Sequence, residues 1–278
     1  MSVVQVGLVQ MAMVEAQEQN IAAAVAGVRQ AAADGAQVIL LPELFEGFYF
    51  PREIDDRFFA WAKPLISNPA VHALKKVCAE LEVVVPVSVF EYDPVSTRYY
   101  NTVVVVDADG QSLGFYRKTH IPDGPGYEEK HYFSPGDTGF KVFSTKYGRL
   151  GVGICWDQWF PECARAMTLQ GADLLLYPTA IGSEPEPPYT DTSAAWQRVM
   201  QGHAVANTIP VMAANRVGDE GGQRFYGHSF VCDGFGELLV ELPADTPGVR
   251  VVPVDLGHWS QQRDWMGLLR DRRPNCYR

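Results

Sequence analysis

Short apolar runs alternate with amphipathic stretches from the beginning of this chain. The β-branched run Val3–Gln10 predicts a strand, and the alanine-rich stretch from Gln17 to Asp34 has the apolar spacing of a helix. The continuous apolar run Val38–Leu41 predicts a second strand. A strand, a helix and a second strand in this order form the usual unit of a sheet that is covered by helices.

The alternation continues along the rest of the chain, with β-rich hairpins between the helical stretches. The sequence predicts further helices over Phe58–Lys63, Pro69–Leu81, a stretch from Pro161 to near Gly171, and Trp196–Asn207. It predicts further strands over Val83–Phe90, Tyr99–Val106, Ser112–Tyr116, Phe140–Ser144, Leu150–Cys155, Leu174–Pro178, Pro210–Asn215, Phe225–Cys232, Glu237–Leu242 and Val249–Val254. The last segment, from Leu256 to Arg278, is predicted to be irregular, with Trp259 and Trp265 packed against a neighbouring molecule. The chain is therefore predicted to be an α/β protein.

Length and charge narrow the class of protein. A chain of 278 residues that is 47% hydrophobic suits one domain over residues 1–278, with 255–278 as a tail at an oligomer interface. The formal net charge of −10 disfavours nucleic acid and anionic membranes as partners, and it favours small cationic molecules. The sequence shows neither a signal-like N-terminus nor a membrane-spanning apolar run, which predicts a cytoplasmic protein.

Cysteine and histidine usage argues against disulfides and metal sites. The five cysteines are scattered and form no C-x-x-C pair, and the six histidines form no H-x-x-x-H pattern. We therefore predict no metal and no cofactor.

The stretch Leu150-Gly-Val-Gly-Ile-Cys-Trp-Asp157 is the best candidate for a catalytic element. It predicts a buried strand that ends at Cys155, just before a helix that Pro161 opens. At such a turn a thiolate gains from nearby peptide N–H groups, and the N–H of Trp156 can face a developing oxyanion. A buried core cysteine is the alternative for this residue taken alone.

Other polar residues also follow apolar strands, where sites form in α/β folds: Glu43, Lys118, Tyr177 and Asn215. In one arrangement Glu43 is the base for Cys155 and Lys118 holds the oxyanion. In the other, His120 is the base, as in papain-like enzymes. The residues alone leave both arrangements open.

Three ordered motifs resemble the nitrilase, or carbon–nitrogen hydrolase, superfamily: Leu40-Leu-Pro-Glu-Leu44, Tyr116-Arg-Lys-Thr-His120 and Gly151-Val-Gly-Ile-Cys-Trp-Asp157. The resemblance covers nearly the whole chain and implies a four-layer α-β-β-α sandwich. It implies a catalytic set of Glu43, Lys118 and Cys155, with the Trp156 N–H in the oxyanion hole. It also implies a second glutamate, which Glu129 matches, with Glu128 as its neighbouring alternative. His120 then becomes a supporting residue.

Further stretches resemble the N-carbamoylputrescine amidases of that superfamily, which release putrescine, ammonia and carbon dioxide in polyamine synthesis. They are Ile121–Tyr127, Phe133–Gly139, Ala180–Pro185 and Arg198–His203. Alternatives are hydrolysis of another ureide such as N-carbamoyl-β-alanine, of an ω-amide or of a nitrile, and a catalytically silent scaffold.

The loops beside the predicted site carry acids, which suits a small cationic ureide because an ammonium group needs a carboxylate partner. These acids are Asp123, Glu184, Glu186 and Asp191, of which Asp123 and Glu184 rank first. Tyr49 and Tyr177 complete the predicted substrate-binding set. A homo-oligomer is also expected, because the resembled superfamily assembles through its sheets.

Overall fold

The computed structural model describes residues 3–183 and 190–277. In chain order, its strands are β1 (Val3–Gln10), β2 (Val38–Leu40), β3 (Val85–Asp93), β4 (Arg98–Val106), β5 (Ser112–Arg117), β6 (Val142–Thr145), β7 (Gly148–Val152), β8 (Leu174–Pro178), β9 (Val211–Ala214), β10 (Val217–Glu220), β11 (Gln223–Tyr226), β12 (Phe230–Cys232), β13 (Leu238–Glu241) and β14 (Gly248–Asp255). Its α-helices are α1 (Gln17–Ala33), α2 (Pro69–Leu81), α3 (Glu129–Tyr132), α4 (Pro161–Leu169), α5 (Ser193–Asn207) and α6 (Leu256–Met266).

Two groups of strands form the centre of the fold. One contains β14-β1-β2 and the hairpin sheet β3-β4-β5, which a parallel bridge between Val38 and Val84 connects. The other is the six-stranded sheet β13-β12-β9-β8-β7-β6. Its β7, β8 and β9 run parallel, so the segments after these three strands leave the sheet at one edge.

Alternating side chains of β1 show how the layers pack. Val6 and Leu8 lie in a buried cluster with residues of the second sheet, such as Leu150 and Leu174. Val9 instead joins a cluster that includes buried residues of α1 and α2. A third cluster joins α4 and α5 to the outer face of the second sheet. The order of layers is helices, sheet, sheet, helices, which confirms the predicted α-β-β-α sandwich.

The prediction for the end of the chain is wrong in two respects. Residues 256–266 form helix α6, which Asp255 caps by accepting the His258 N–H. The Trp259 side chain is 9% exposed, and its ring packs edge-on against Phe235 within the same chain. Trp265, in contrast, is 76% exposed.

The predicted strand Phe225–Cys232 is also two strands, β11 and β12, and the pattern missed β10, which pairs with β11. Among the described residues, no helix is long and apolar enough to cross a membrane.

Candidate active site

The turn after β7 places Cys155 at the start of a 3₁₀ segment, Cys155–Trp159. Cys155 has a φ of +38°, which is unusual for a residue other than glycine and marks a constrained turn. Asp157 stabilises this turn, because one of its carboxylate oxygens accepts the Ile154 N–H at 3.0 Å. The other accepts the backbone N–H and ring Nδ1 of His120 at 3.0 and 2.8 Å. Asp157 therefore connects the nucleophile turn to the segment that carries Lys118.

Lys118, directly after β5, is the centre of a buried charge cluster. Its Nζ donates to Glu43 Oε1 at 2.8 Å and to the two oxygens of Glu129 at 2.9 and 2.7 Å. All three side chains have an exposed fraction of 0%. The two carboxylates together raise the pKa of Lys118 despite its burial, so the ammonium stays charged. Glu129 rather than Glu128 forms this ion pair.

Glu43 has one oxygen held and one available. Oε1 accepts from Lys118 and from Asn101 Nδ2, the latter at 2.7 Å. Oε2 is buried and has no hydrogen-bond partner among the described residues. A buried acceptor without a partner is costly, so this free oxygen is suited to receive a proton during a reaction.

The environment of Cys155 favours a neutral thiol. Burial, the most important cause, and the charges of Glu43 and Glu129 raise the pKa of Cys155 well above its ordinary value, although Lys118 opposes them. Sγ makes two long hydrogen-bond contacts, with the Ala180 carbonyl oxygen at 3.7 Å and with Gln158 Nε2 at 4.0 Å. The resting sulfur is therefore not the stabilised thiolate that the strand-to-helix turn alone suggests, and it needs a base at the moment of attack.

Burial also raises the pKa of Glu129, to about 7. Lys118 and a hydrogen bond from Tyr49 oppose this effect, and the charge of Glu43 adds to it. Glu129 is therefore easier to protonate than an ordinary glutamate, inside the cluster that surrounds Lys118.

A cavity of about 340 Å³ opens above Cys155. Its described lining residues are Pro122, Asp123, Gly124, Pro125, Tyr127, Glu129, Cys155, Trp156, Trp159, Ile181 and Thr192. We call Glu43, Lys118, Glu129 and Cys155 the catalytic floor, and Asp123, Gly124, Pro125 and Trp156 the rim. The lining residues that the structure describes include two carboxylates and no lysine, arginine or histidine.

The structure brings some of the predicted substrate-binding residues to this cavity and not others. Asp123 lies on the rim with its side chain 50% exposed, 3.8 Å from Lys130 Nζ. Tyr49 and Tyr177 are fully buried and lie outside the lining. Tyr49 donates to Glu129, and Tyr177 packs behind the nucleophile turn against Cys163. Glu184 lies outside the described residues.

A second buried ion pair supports the floor, and the sequence analysis missed it. Arg216 Nη2 donates to the carbonyl oxygens of Glu43 and Leu44 at 2.7 and 3.0 Å. Its Nη1 donates to both oxygens of Glu220 at 2.9 and 2.8 Å. Leu44 has a φ of +48°, so the arginine holds a strained turn in the loop that carries the base.

Asn101 and Arg216 had weak signals in the sequence. Asn101 is a polar residue in strand β4, shortly before the apolar run Val103–Val106, and Arg216 follows Asn215, already noted at a strand end. Neither pattern indicates that the side chain would reach Glu43, which lies more than 50 positions away along the chain.

A carbon-nitrogen hydrolase family model matches residues 5–264. The chain belongs to the carbon-nitrogen hydrolase family. It is 51% identical over 267 residues to N-carbamoylputrescine amidase of Arabidopsis thaliana, which covers 93% of this chain and 89% of the relative. It is 46% identical over 281 residues to citrullinase of Francisella tularensis subsp. tularensis, with 100% of this chain and 98% of the relative covered.

Solved structures of this family share the fold. The carbon-nitrogen hydrolase from Helicobacter pylori G27 aligns with a TM-score of 0.92 and 34% sequence identity, covering 99% of this chain and 97% of that one. Family membership makes this chain a C–N hydrolase.

Proposed function

We propose that this protein hydrolyses N-carbamoylputrescine to putrescine, carbon dioxide and ammonia, as a step of polyamine biosynthesis. The observation that carries the proposal is the half-exposed carboxylate of Asp123 on the rim of a cavity whose described lining contains no lysine, arginine or histidine. The cation of the floor, Lys118, is already paired with Glu43 and Glu129. The distal group of N-carbamoylputrescine is an ammonium, which a carboxylate such as Asp123 can hold. The 51% identical relative from Arabidopsis thaliana carries the same activity in its name.

The reaction begins with attack of Cys155 Sγ on the ureido carbonyl carbon. Glu43 Oε2 takes the thiol proton as the S–C bond forms, because the raised pKa of Cys155 leaves little thiolate at rest. The carbonyl oxygen becomes an oxyanion, which Lys118 Nζ and the Trp156 N–H stabilise. Among the described residues, that N–H makes no hydrogen bond, so it is free for this role.

Collapse of the tetrahedral intermediate breaks the bond to the terminal nitrogen. Glu43 returns its proton to that nitrogen, ammonia leaves, and Cys155 carries a carbamoyl thioester. Glu43 then takes a proton from water, whose oxygen attacks the thioester carbon, and the sulfur leaves and is reprotonated. The released carbamic acid loses carbon dioxide to give the diamine. Glu129 keeps Lys118 in place throughout.

Citrulline is the second candidate substrate, because the relative from Francisella tularensis subsp. tularensis is 46% identical and is named for it. Citrulline has the same ureido group but carries a carboxylate beside its ammonium. The described lining offers no cation for that carboxylate, which favours N-carbamoylputrescine.

Ammonia release from a matched panel tests the proposal. The panel contains N-carbamoylputrescine, citrulline, N-carbamoyl-β-alanine, an ω-amide and a nitrile. We expect the highest kcat/KM for N-carbamoylputrescine. A higher value for any other member would reject it as the preferred substrate.

We further propose that the protein is cytoplasmic and forms a homo-oligomer. The exposed Trp265, Met266 and Leu268 at the end of α6 support an interface there, because exposed apolar clusters mark contact surfaces. Sedimentation of the purified chain tests the proposed homo-oligomer, and a monomer at micromolar concentration would contradict that proposal.

A further inference from the structure

The Tyr49 side chain forms a hydrogen bond with the catalytic floor, although Tyr49 does not line the cavity. Its hydroxyl donates to Glu129 Oε1 at 2.6 Å, and its side chain has no exposure to solvent. Glu129 is the carboxylate that binds Lys118 through both of its oxygens. The Glu129 carboxylate thus accepts hydrogen bonds from two side chains, Lys118 and Tyr49.

The Tyr49 hydroxyl is held in one position from several sides. The backbone N–H of Tyr49 donates to Glu220 Oε2 at 2.6 Å, and Glu220 is paired with Arg216. The Tyr49 ring packs edge-on against Tyr127 and Phe225, with centroids 5.8 and 5.7 Å away. Backbone and ring are therefore both fixed, so the hydroxyl can reach Glu129 without losing further conformational freedom.

We propose that Tyr49 is a positioning residue that holds the Glu129 carboxylate directed at Lys118, with the Arg216–Glu220 pair supporting Tyr49 from behind. A hydrogen bond to a carboxylate stabilises its charged form. The charged form of Glu129 is the one that attracts the Lys118 ammonium, and that ammonium must be in place for the oxyanion. In this way a residue that touches no substrate determines the pH range of the reaction.

The charges around Glu129 agree with this role. Lys118 from the end of β5 and the Tyr49 hydroxyl favour its ionised form, whereas Glu43 from the loop after β2 opposes it. Cys155 from the nucleophile turn also faces it, and the charge of Glu129 acts against a thiolate there. On its own helix, Lys130 and His131 point elsewhere, to Asp123 and Asp56. Burial and neighbouring carboxylates raise the pKa of Tyr49, so its hydroxyl keeps its proton and remains a donor.

The substitution Tyr49→Phe tests the proposal, because it keeps the ring and removes only the hydroxyl. The titration of Glu129 is followed by NMR of protein labelled with ¹³C at the glutamate carboxyl carbon, with the signal assigned through Glu129→Gln. Loss of a hydrogen bond to a charged group moves the titration midpoint of that group by about one to two pH units. We expect the Glu129 midpoint to rise by that amount.

The acid limb of kcat/KM should move with the midpoint, since that limb reports ionisation of the free enzyme. At pH 7 we expect kcat/KM of Tyr49→Phe to be roughly tenfold lower than that of the unsubstituted protein. At alkaline pH the two values of kcat/KM should become equal. Tyr132→Phe is the matched control. Tyr132 is also buried, and its hydroxyl donates to the Glu53 carbonyl oxygen at 2.7 Å instead of to Glu129.

An unmoved Glu129 midpoint in Tyr49→Phe, an unmoved acid limb, or an equal shift in Tyr132→Phe would overturn the proposal. The kinetic arm alone rests on the proposed function. If the unsubstituted protein does not hydrolyse N-carbamoylputrescine, that function fails, while the NMR titration, which uses no substrate, still decides the role of Tyr49.

Discussion

The charged side chains of the floor are buried and closely paired, whereas the charged side chain of the rim is half exposed. On the floor, Lys118 lies within 2.9 Å of oxygens from Glu43 and Glu129, and all three side chains are excluded from solvent. On the rim, Asp123 is half exposed, and its nearest cation, Lys130, is 3.8 Å away. Charges in a dry site interact strongly and are fixed, whereas exposed charges are screened and adjustable. The floor is therefore suited to the chemical step and the rim to recognition of the distal group of the substrate.

Glu43→Gln should show the largest effect, because it removes the base but keeps the shape of the floor. We expect kcat to fall by about 10²–10⁴, the usual contribution of a general base. The charge of Glu43 also helps to raise the pKa of Cys155, so its removal should lower the pH at which Cys155 is alkylated by iodoacetamide. Ammonia release and the pH dependence of alkylation measure the two effects.

In Glu43→Gln, hydrolysis should therefore be slower, whereas the Cys155 thiol should ionise at lower pH. Unchanged hydrolysis, or an alkylation midpoint that moves to higher pH, would show that Glu43 does not act on Cys155. Glu128→Gln is the control for charge, since Glu128 is not part of the Lys118 cluster.

Asp123→Asn should have a smaller effect, and a different one, because Asp123 belongs to the rim. We expect KM for N-carbamoylputrescine to rise about tenfold, equivalent to about 1.4 kcal/mol, with kcat nearly unchanged. Steady-state kinetics at low and high salt test this, since raised salt should weaken the parent more than the variant.

Asp264→Asn removes an exposed acid from α6 and should leave KM unchanged. A fall in kcat rather than a rise in KM for Asp123→Asn would place Asp123 with the floor and break the distinction between the two regions.

The sequence was sufficient to predict most of the fold and the members of the floor. Apolar strand ends indicated Glu43, Lys118 and Cys155 together with Tyr177 and Asn215, and the resemblance selected the first three and added Glu129. The prediction of an irregular C-terminal segment was wrong, because α6 has a weakly amphipathic sequence and depends on contacts such as that of Trp259 with Phe235. In such a helix tertiary packing outweighs the local pattern.

The supporting residues could not be predicted for a different reason. From the sequence, Tyr49 was predicted to bind substrate. Its contact with Glu129, 80 positions away, becomes visible only in the folded chain. The raised pKa of Cys155 depends likewise on burial and on two carboxylates that come together only in the folded chain.

His120→Ala should have the smallest effect. The ring of His120 binds Asp157 and stacks on Phe160 with a centroid distance of 3.6 Å, so it supports the turn from outside the floor. Asp157 would keep its bonds to the Ile154 N–H, the Tyr116 hydroxyl and the His120 backbone N–H. We expect kcat/KM to change by about threefold, in line with one modest hydrogen bond. A loss as large as that of Cys155→Ala would support a papain-like Cys–His mechanism.

The most direct test of the account is to trap the intermediate on Cys155. Substrate labelled with ¹³C at the ureido carbon is mixed with the enzyme, quenched with acid during turnover, and the digested peptides are analysed by mass spectrometry. We predict a labelled carbamoyl adduct on Cys155 alone, which disappears when the substrate is exhausted, and no ammonia release by Cys155→Ala. Continued hydrolysis by Cys155→Ala, or turnover with the label on another residue, would contradict the account.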